Sequence, residues 1–318
     1  MATNPSKLDI FDSQISSNDR TEYQQRVDQF NSTLNEYWTF EVVPNVFKQS
    51  LSNTDETTFD YLKDNFGILK GWDEIIDHLK ELNSKASSHE TYKLLFLSRH
   101  GQGYHNLGHS KYGNEDWDDH WSKLNGDGEI VWGPDPLLTE LGQNQAKENN
   151  KFWKSQLINN SKKDENLIKP TRFFASPLSR SIDTLIGTWD DIVKIEEIKP
   201  LIQENLRETI GIHTCDKRSP KSIISKKYEP KGFIIEPGFE EEDIYFKTDY
   251  RESVAEHALR IYKQFQYLFN EVKHDDIISL TTHSGTIKAQ LMALGHRSFA
   301  VGTGGIVPVF VKATKITN

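Results

Sequence analysis

The chain has 318 residues, a formal net charge of −9 and a hydrophobic content of 36%, with seven tryptophans among its aromatic residues. That length can bury a large core, and the tryptophans argue against disorder. The acidic balance gives no support for a nucleic-acid or membrane-surface partner. A single cysteine, Cys215, excludes an intramolecular disulfide, and no apolar run is long enough for a signal-peptide core or a membrane span. The expectation is an intracellular protein, cytoplasmic or nuclear.

Residues 1–90 are polar and rich in Asn, Ser, Thr and Asp, with apolar positions too sparse for an independent core. They read as a partly helical arm that packs on a main body spanning 91–318, with a disordered tail as the rival reading for the first thirty residues. Within the arm, Tyr37–Val43 reads as extended. Trp72–Leu82 has helical spacing, with Trp72, Ile75/Ile76 and Leu79 on one side. From Lys93 onward strands and helices alternate. Strand candidates are Lys93–Ser98, Arg172–Ala175, a weaker Ile195–Ile198, Ile277–Thr282 and Ile306–Lys312; helix candidates are Glu140–Leu157, Leu178–Val193, Ser253–Val272 and Thr286–Leu294. Ser253-Val254-Ala255-Glu256 has the spacing of a capping box, and Pro308 suggests an edge strand. Asn159-Asn160-Ser161 matches a glycosylation acceptor and reads as a polar loop. The alternation predicts an α/β fold, a three-layer sandwich with a mostly parallel sheet. Two long inserts, 108–136 and 211–250, exceed ordinary connection lengths and are expected to roof a site.

Chemistry-bearing residues cluster where the strands end. Lys93-Leu94-Leu95-Phe96-Leu97 leads into Ser98-Arg99-His100-Gly101, which delivers a permanently charged fork beside an imidazole at a strand's carboxyl end. That pairing suits a phosphoryl group with the imidazole as nucleophile. Leu280-Thr281-Thr282-His283-Ser284-Gly285 repeats the design. After Arg172–Ala175, Ser176 reads as an N-cap with Pro177 at the first helical position, which opens a helix amino end. Arg180 falls in its first turn, where it opposes the helix dipole and calls for an anion. Asn205-Leu206-Arg207-Glu208 offers a carboxylate at the start of the second insert.

Arg99-His100-Gly101 with Asn106, Leu138-Thr-Glu-Leu-Gly142-Gln-Asn-Gln145-Ala146, Ser176-Pro-Leu-Ser-Arg180, Leu206-Arg-Glu208 and Thr282-His283-Ser-Gly285 together resemble the histidine phosphatase (phosphoglycerate-mutase-like) superfamily, branch 1 type. The longer stretches Arg99-His-Gly-Gln-Gly-Tyr-His-Asn106 and Ile212-His213-Thr-Cys-Asp-Lys-Arg218 look most like fungal phosphomutase-like phosphatases. The resemblance covers roughly residues 90–312. It implies the phosphoglycerate-mutase-like fold and hydrolysis of small-molecule phosphomonoesters through a phosphohistidine on His100. Arg99, Arg180 and His283 would hold the phosphoryl oxygens with Asn106, and Glu208 would act as general acid. Asp216, in the same insert, is the other candidate for that proton. Gln102 and Ser284 would touch substrate, and Arg207 and His213, with Lys217 and Arg218, would wall the cleft. Inorganic phosphate would be the product.

No cofactor and no metal is implied, because the arginines supply the charge that magnesium supplies in kinases. A metal site built on His105 and His109 with His120 or Asp118/Asp119 is the rival reading. A phosphomutase using the same phosphohistidine, or a non-catalytic member that binds phosphorylated ligands or a protein, are the functional alternatives. Gly302-Thr303-Gly304-Gly305 reads as a glycine turn, and Trp117, Trp121 and Trp132 as lid packing. Substrate identity and oligomeric state are not encoded in these motifs.

Overall fold

In the computed structural model, residues 4–159 and 167–318 are described; the Asn159-Asn160-Ser161 sequon extends outside them. The strands are β1 (Glu36–Val42), β2 (Glu90–Arg99), β3 (Arg172–Ala175), β4 (Leu201–Ile202), β5 (Ile234–Ile235), β6 (Ile277–Thr282) and β7 (Ile306–Thr317). They form one sheet in the order β1-β7-β2-β6-β3-β4-β5. From β2 to β5 neighbouring strands run parallel, whereas β7 is antiparallel to both β2 and β1.

The helices are α1 (Lys7–Ser13), α2 (Ser17–Asn31), α3 (Trp72–Lys85), α4 (Tyr104–Asp119), α5 (Glu140–Asn159), α6 (Ser179–Trp189), α7 (Ile195–Ile198), α8 (Lys221–Tyr228), α9 (Val254–Glu271) and α10 (Ser284–Ala293). One layer holds α9 and α10 with α2 packed outside α9, and α3, α5 and α6 cover the opposite face. Burial on both faces explains why the centre of β2, Leu94–Leu97, is a continuous apolar run and why every residue of β6 is buried. The α3/α5/α6 layer closes with Phe66, Trp72, Phe96 and Trp153 in mutual aromatic contact and Trp189 against Trp153. On the other face Phe40 of β1 meets Tyr262, Phe265 and Phe269 of α9.

The N-terminal residues add to this body. β1 supplies the sheet's edge, and Tyr23, Val27 and Trp38 are buried in the same apolar core as Leu94–Leu97. The capping box at Ser253 is present with both reciprocal bonds, and α3 buries Trp72, Ile75, Ile76 and Leu79 as its spacing requires.

Two local expectations are corrected and one is extended. Ile195–Ile198 is helix α7, not a strand: the i, i+3 spacing turns both isoleucines inward, and the pairing strand begins after it at Leu201. Pro308 lies in an interior strand, opposite Phe96 of β2. It is tolerated because β1 stops pairing at Val42↔Val311, so the missing N–H faces a stretch with no partner strand. Finally, the 211–250 insert contributes β5, the far edge of the sheet.

Candidate active site

The carboxyl ends of β2 and β6 lie side by side, with Arg99 in register with Thr282, so His100 and His283 leave the sheet as neighbours. Their rings sit 5.0 Å apart between centroids. Gly101 makes the exit possible. A Cβ there would fall 2.3 Å from the Gly142 carbonyl oxygen, and one on Gly142 would fall 2.1 Å from that of Gln102. The Leu138–Ala146 motif thus has a mechanical meaning. Thr139 and Gln145 hold the backbone of Gln102, the former through N–H to Gln102 O at 2.9 Å and the latter by accepting from Gln102 N at 2.8 Å. The Gly302–Gly305 turn backs the same loop, with Gly304 N donating to His100 O at 2.8 Å.

His100 is buried. Its Nδ1 lies 2.6 Å from the Gly101 carbonyl, which can only accept, so the proton sits on Nδ1 and Nε2 carries a lone pair. Burial, then the Arg180 and Arg99 guanidinium groups, push its pKa well below the usual histidine range. Arg180 Nε lies 3.3 Å from that lone pair. His283 Nε2 is 2.7 Å from the Ser176 hydroxyl. His283 Nδ1 and Arg99 Nε are buried and unpaired among the described residues. Orphaned buried polar atoms of this kind are costly unless a partner fills them. With Arg180 Nε, which faces His100 Nε2, they make up a candidate oxyanion cradle.

Arg99 lines a cleft of about 700 Å³, while His100, Arg180 and His283 are buried behind its wall. Gln102, Asn106, Glu208, His213 and Ser284 line it, as expected, along with His105, Asp216 and Arg251. Trp117, Asp118 and Lys123 come from the first insert, while Trp117 and Trp132 pack with Cys215 of the second. Asn106 Oδ1 accepts from Gly103 N at 2.9 Å, which directs its amide nitrogen elsewhere. Glu208 accepts from Gly285 N at 3.1 Å and Thr209 N at 2.9 Å, and it remains half-buried at the cleft wall. Asp216 is engaged instead: Arg180 Nη2 is 3.0 Å and Arg251 Nη1 3.4 Å from its two oxygens.

Arg207 does not reach the cleft. It is fully buried, held by Asp243 at 2.7 Å, Glu204 at 2.9 Å and the Asp216 carbonyl at 2.8 Å. Arg218 is likewise turned inward to Glu204, and Lys217 lies over Phe246. Ser176 does not cap α6; Leu178 occupies that position. The helix amino end is filled by Asp135, whose carboxylate accepts from Ser179 N and Oγ at 2.7 and 2.8 Å. The anion that Arg180 calls for is therefore already supplied in part by Asp216.

His109 stacks on Trp117 and bonds Asn114, so it forms no ligand set with His105. Among the described residues the one grouping of three potential metal ligands is His213, Cys215 and Asp216. There the arginines on Asp216 already occupy the carboxylate.

Residues 95–302 match the model of the histidine phosphatase superfamily, branch 1. The chain belongs to that family. It is 35% identical to a probable phosphoglycerate mutase of Arthroderma benhamiae over 88% of this chain and 86% of the relative. It is 34% identical to phosphomutase-like protein 3 of Candida albicans over 82% and 74% respectively. Among solved structures, a phosphoserine phosphatase mutant from Entamoeba histolytica matches at a TM-score of 0.38 and 19% identity, over 69% of this chain and 94% of that one. This histidine phosphatase has, among its described residues, no helix long and apolar enough to cross a membrane.

Three participants in the site escaped sequence reasoning: Asp9 and Arg251 in polar segments, and Asp135 at the end of the first insert. Each acts through a partner distant in the chain, and no local motif marks such a partner.

Proposed function

We propose that the enzyme hydrolyses phosphomonoesters of small molecules through a phosphohistidine on His100. The observation that carries this reading is the His100 tautomer, which leaves a lone pair on Nε2 facing Arg180 Nε, with Arg99 Nε and His283 Nδ1 buried and unpaired among the described residues. His100 Nε2 attacks phosphorus, the bond to the leaving oxygen breaks, and Glu208 gives that oxygen its proton. Water then attacks the phosphoryl group, Glu208 takes a proton from it, the N–P bond breaks and inorganic phosphate departs. Arg99, Arg180 and His283 balance the charge that spreads over the phosphoryl oxygens, and Asn106 adds a neutral donor.

Glu208 is favoured over Asp216 as the acid because each Asp216 oxygen is already engaged by a guanidinium, Arg180 at 3.0 Å and Arg251 at 3.4 Å. The names of the relatives, phosphoglycerate mutase and phosphomutase-like protein, raise the mutase reading, in which the phosphoenzyme would wait for a second hydroxyl. Single turnover with labelled phosphoester separates the two. Label released as inorganic phosphate with no isomeric product supports hydrolysis; label recovered in an isomer of the substrate overturns it. Full activity in excess EDTA is expected, and loss restored by a divalent ion would contradict a mechanism carried by arginines.

A further inference from the structure

The two arginines of the cradle are built alike. Arg180 gives Nη1 to the Cys215 carbonyl and Nη2 to Asp216, which leaves Nε over His100. Arg99 gives Nη1 to the Val301 carbonyl and to Asp9 Oδ1, each at 2.6 Å. Both hydrogens of that nitrogen are then used, so the guanidinium plane is fixed. The Nε–Nη2 edge, the one that grips an oxyanion with two parallel bonds, is left for a ligand.

Asp9 comes from α1, 90 positions earlier in the chain. Its other oxygen, Oδ2, accepts from Ser6 N at 2.8 Å and Ser6 Oγ at 2.7 Å in the capping box of its own helix, separate from the Oδ1 bond to Arg99. Burial raises the Asp9 pKa, but Arg99 and Ser6 more than offset it and hold the carboxyl below its usual range. Apolar docking is not what holds α1 in place. The helix buries only Ser13 and leaves Phe11 70% exposed, while Lys288 Nζ bonds the Asp12 carbonyl at 2.8 Å. Its polar contacts converge on the cations of the cleft.

We propose that Asp9 is a positioning residue of the active site. It locks Arg99 so that the Nε–Nη2 edge meets the phosphoryl group, and it makes the N-terminal helix a working wall of the cleft. The proposal rests on the phosphoryl-transfer reading above.

The test uses the full chain with Asp9→Ala, Asp9→Asn and Ser6→Ala, reading kcat, KM, orthovanadate affinity and thermal melts. Asp9→Ala should lower kcat and weaken vanadate binding by about 10- to 100-fold, since a displaced clamp costs that much. Asp9→Asn should recover most of both, because the amide oxygen still accepts from Nη1. Ser6→Ala removes the helix cap but not the tether, and should leave kcat within about twofold of wild type. Wild-type kcat and vanadate affinity in a folded Asp9→Ala protein would overturn the proposal, as would equal losses in Ser6→Ala and Asp9→Ala. A wild-type protein that binds vanadate but turns over no phosphoester would sink the hydrolytic reading. In that case vanadate affinity alone still decides the role of Asp9.

Discussion

Exchanging Glu208 and Asp216, each for its amide, should separate a proton donor from a tether. Asp216 and Arg180 are almost fully buried and 3.0 Å apart, with Arg251 on the other oxygen. Removing one partner of a buried pair costs about 3–5 kcal/mol. The amide oxygen of Asp216→Asn still accepts from Arg180, which places the loss near about 3 kcal/mol. At about 2–4 °C per kcal/mol for domains of 150–250 residues, the melting temperature should fall by roughly 6–12 °C. Turnover should drop too, by a similar factor for every substrate, because a displaced Arg180 serves all leaving groups alike.

Glu208→Gln should behave in the opposite way. It is half-buried and loses one of two backbone acceptor bonds, about 1–2 kcal/mol. Losing a general acid should slow alkyl phosphates by about 10²–10⁴-fold and nitrophenyl phosphate far less. The assay is kcat/KM across esters graded by leaving-group basicity, beside thermal melts. A steepened leaving-group dependence in Asp216→Asn, with Glu208→Gln uniform, would refute the assignment and hand the proton to Asp216.

A Cβ at Gly285 would lie 2.2 Å from Glu208 Oε1, so Gly285→Ala should reproduce the leaving-group signature of Glu208→Gln, checked in the same ester series. Asp135→Ala strips the acceptors of Ser179 N, Ser179 Oγ and Ser219 Oγ at once, and should cost about 2–3 kcal/mol in urea unfolding. Burial, then Arg260, holds His257 at about 3, so the unfolded chain binds a proton there before the folded one does. Stability from this group is present above about pH 6.5 and is lost as pH falls toward 3, by on the order of 4 kcal/mol across the window. His257→Gln should flatten the acid limb of a stability–pH profile; an unchanged slope would contradict the burial argument.

The body of the fold was legible because its strands are short apolar runs and its helices carry strong periodicity or caps. Arg172–Ala175 and Ile277–Thr282 are strands at their expected limits, and Ser253 caps α9. The two-residue strands were not, since a pair such as Leu201–Ile202 carries no period. Ile195–Ile198 misled because β-branched residues at i and i+3 fit a single helical turn as well as a strand. At the site, the glycines beside His100 and His283 marked where strands must stop and turn. Arg207 sat in a motif, yet its partner Asp243 lies 36 positions on, and that long-range pair turns it into the interior. Asp9 was not legible, because its bond to Arg99 exists only once the arm has folded onto the body.

The central claim is a covalent phosphoryl group on His100. Enzyme mixed with labelled phosphoester, quenched in alkaline detergent within one turnover and mapped by peptide mass, should carry acid-labile phosphate on His100 alone, and His100→Ala should carry none. Steady turnover with no protein-bound label, or label on His105 or His283, would contradict it.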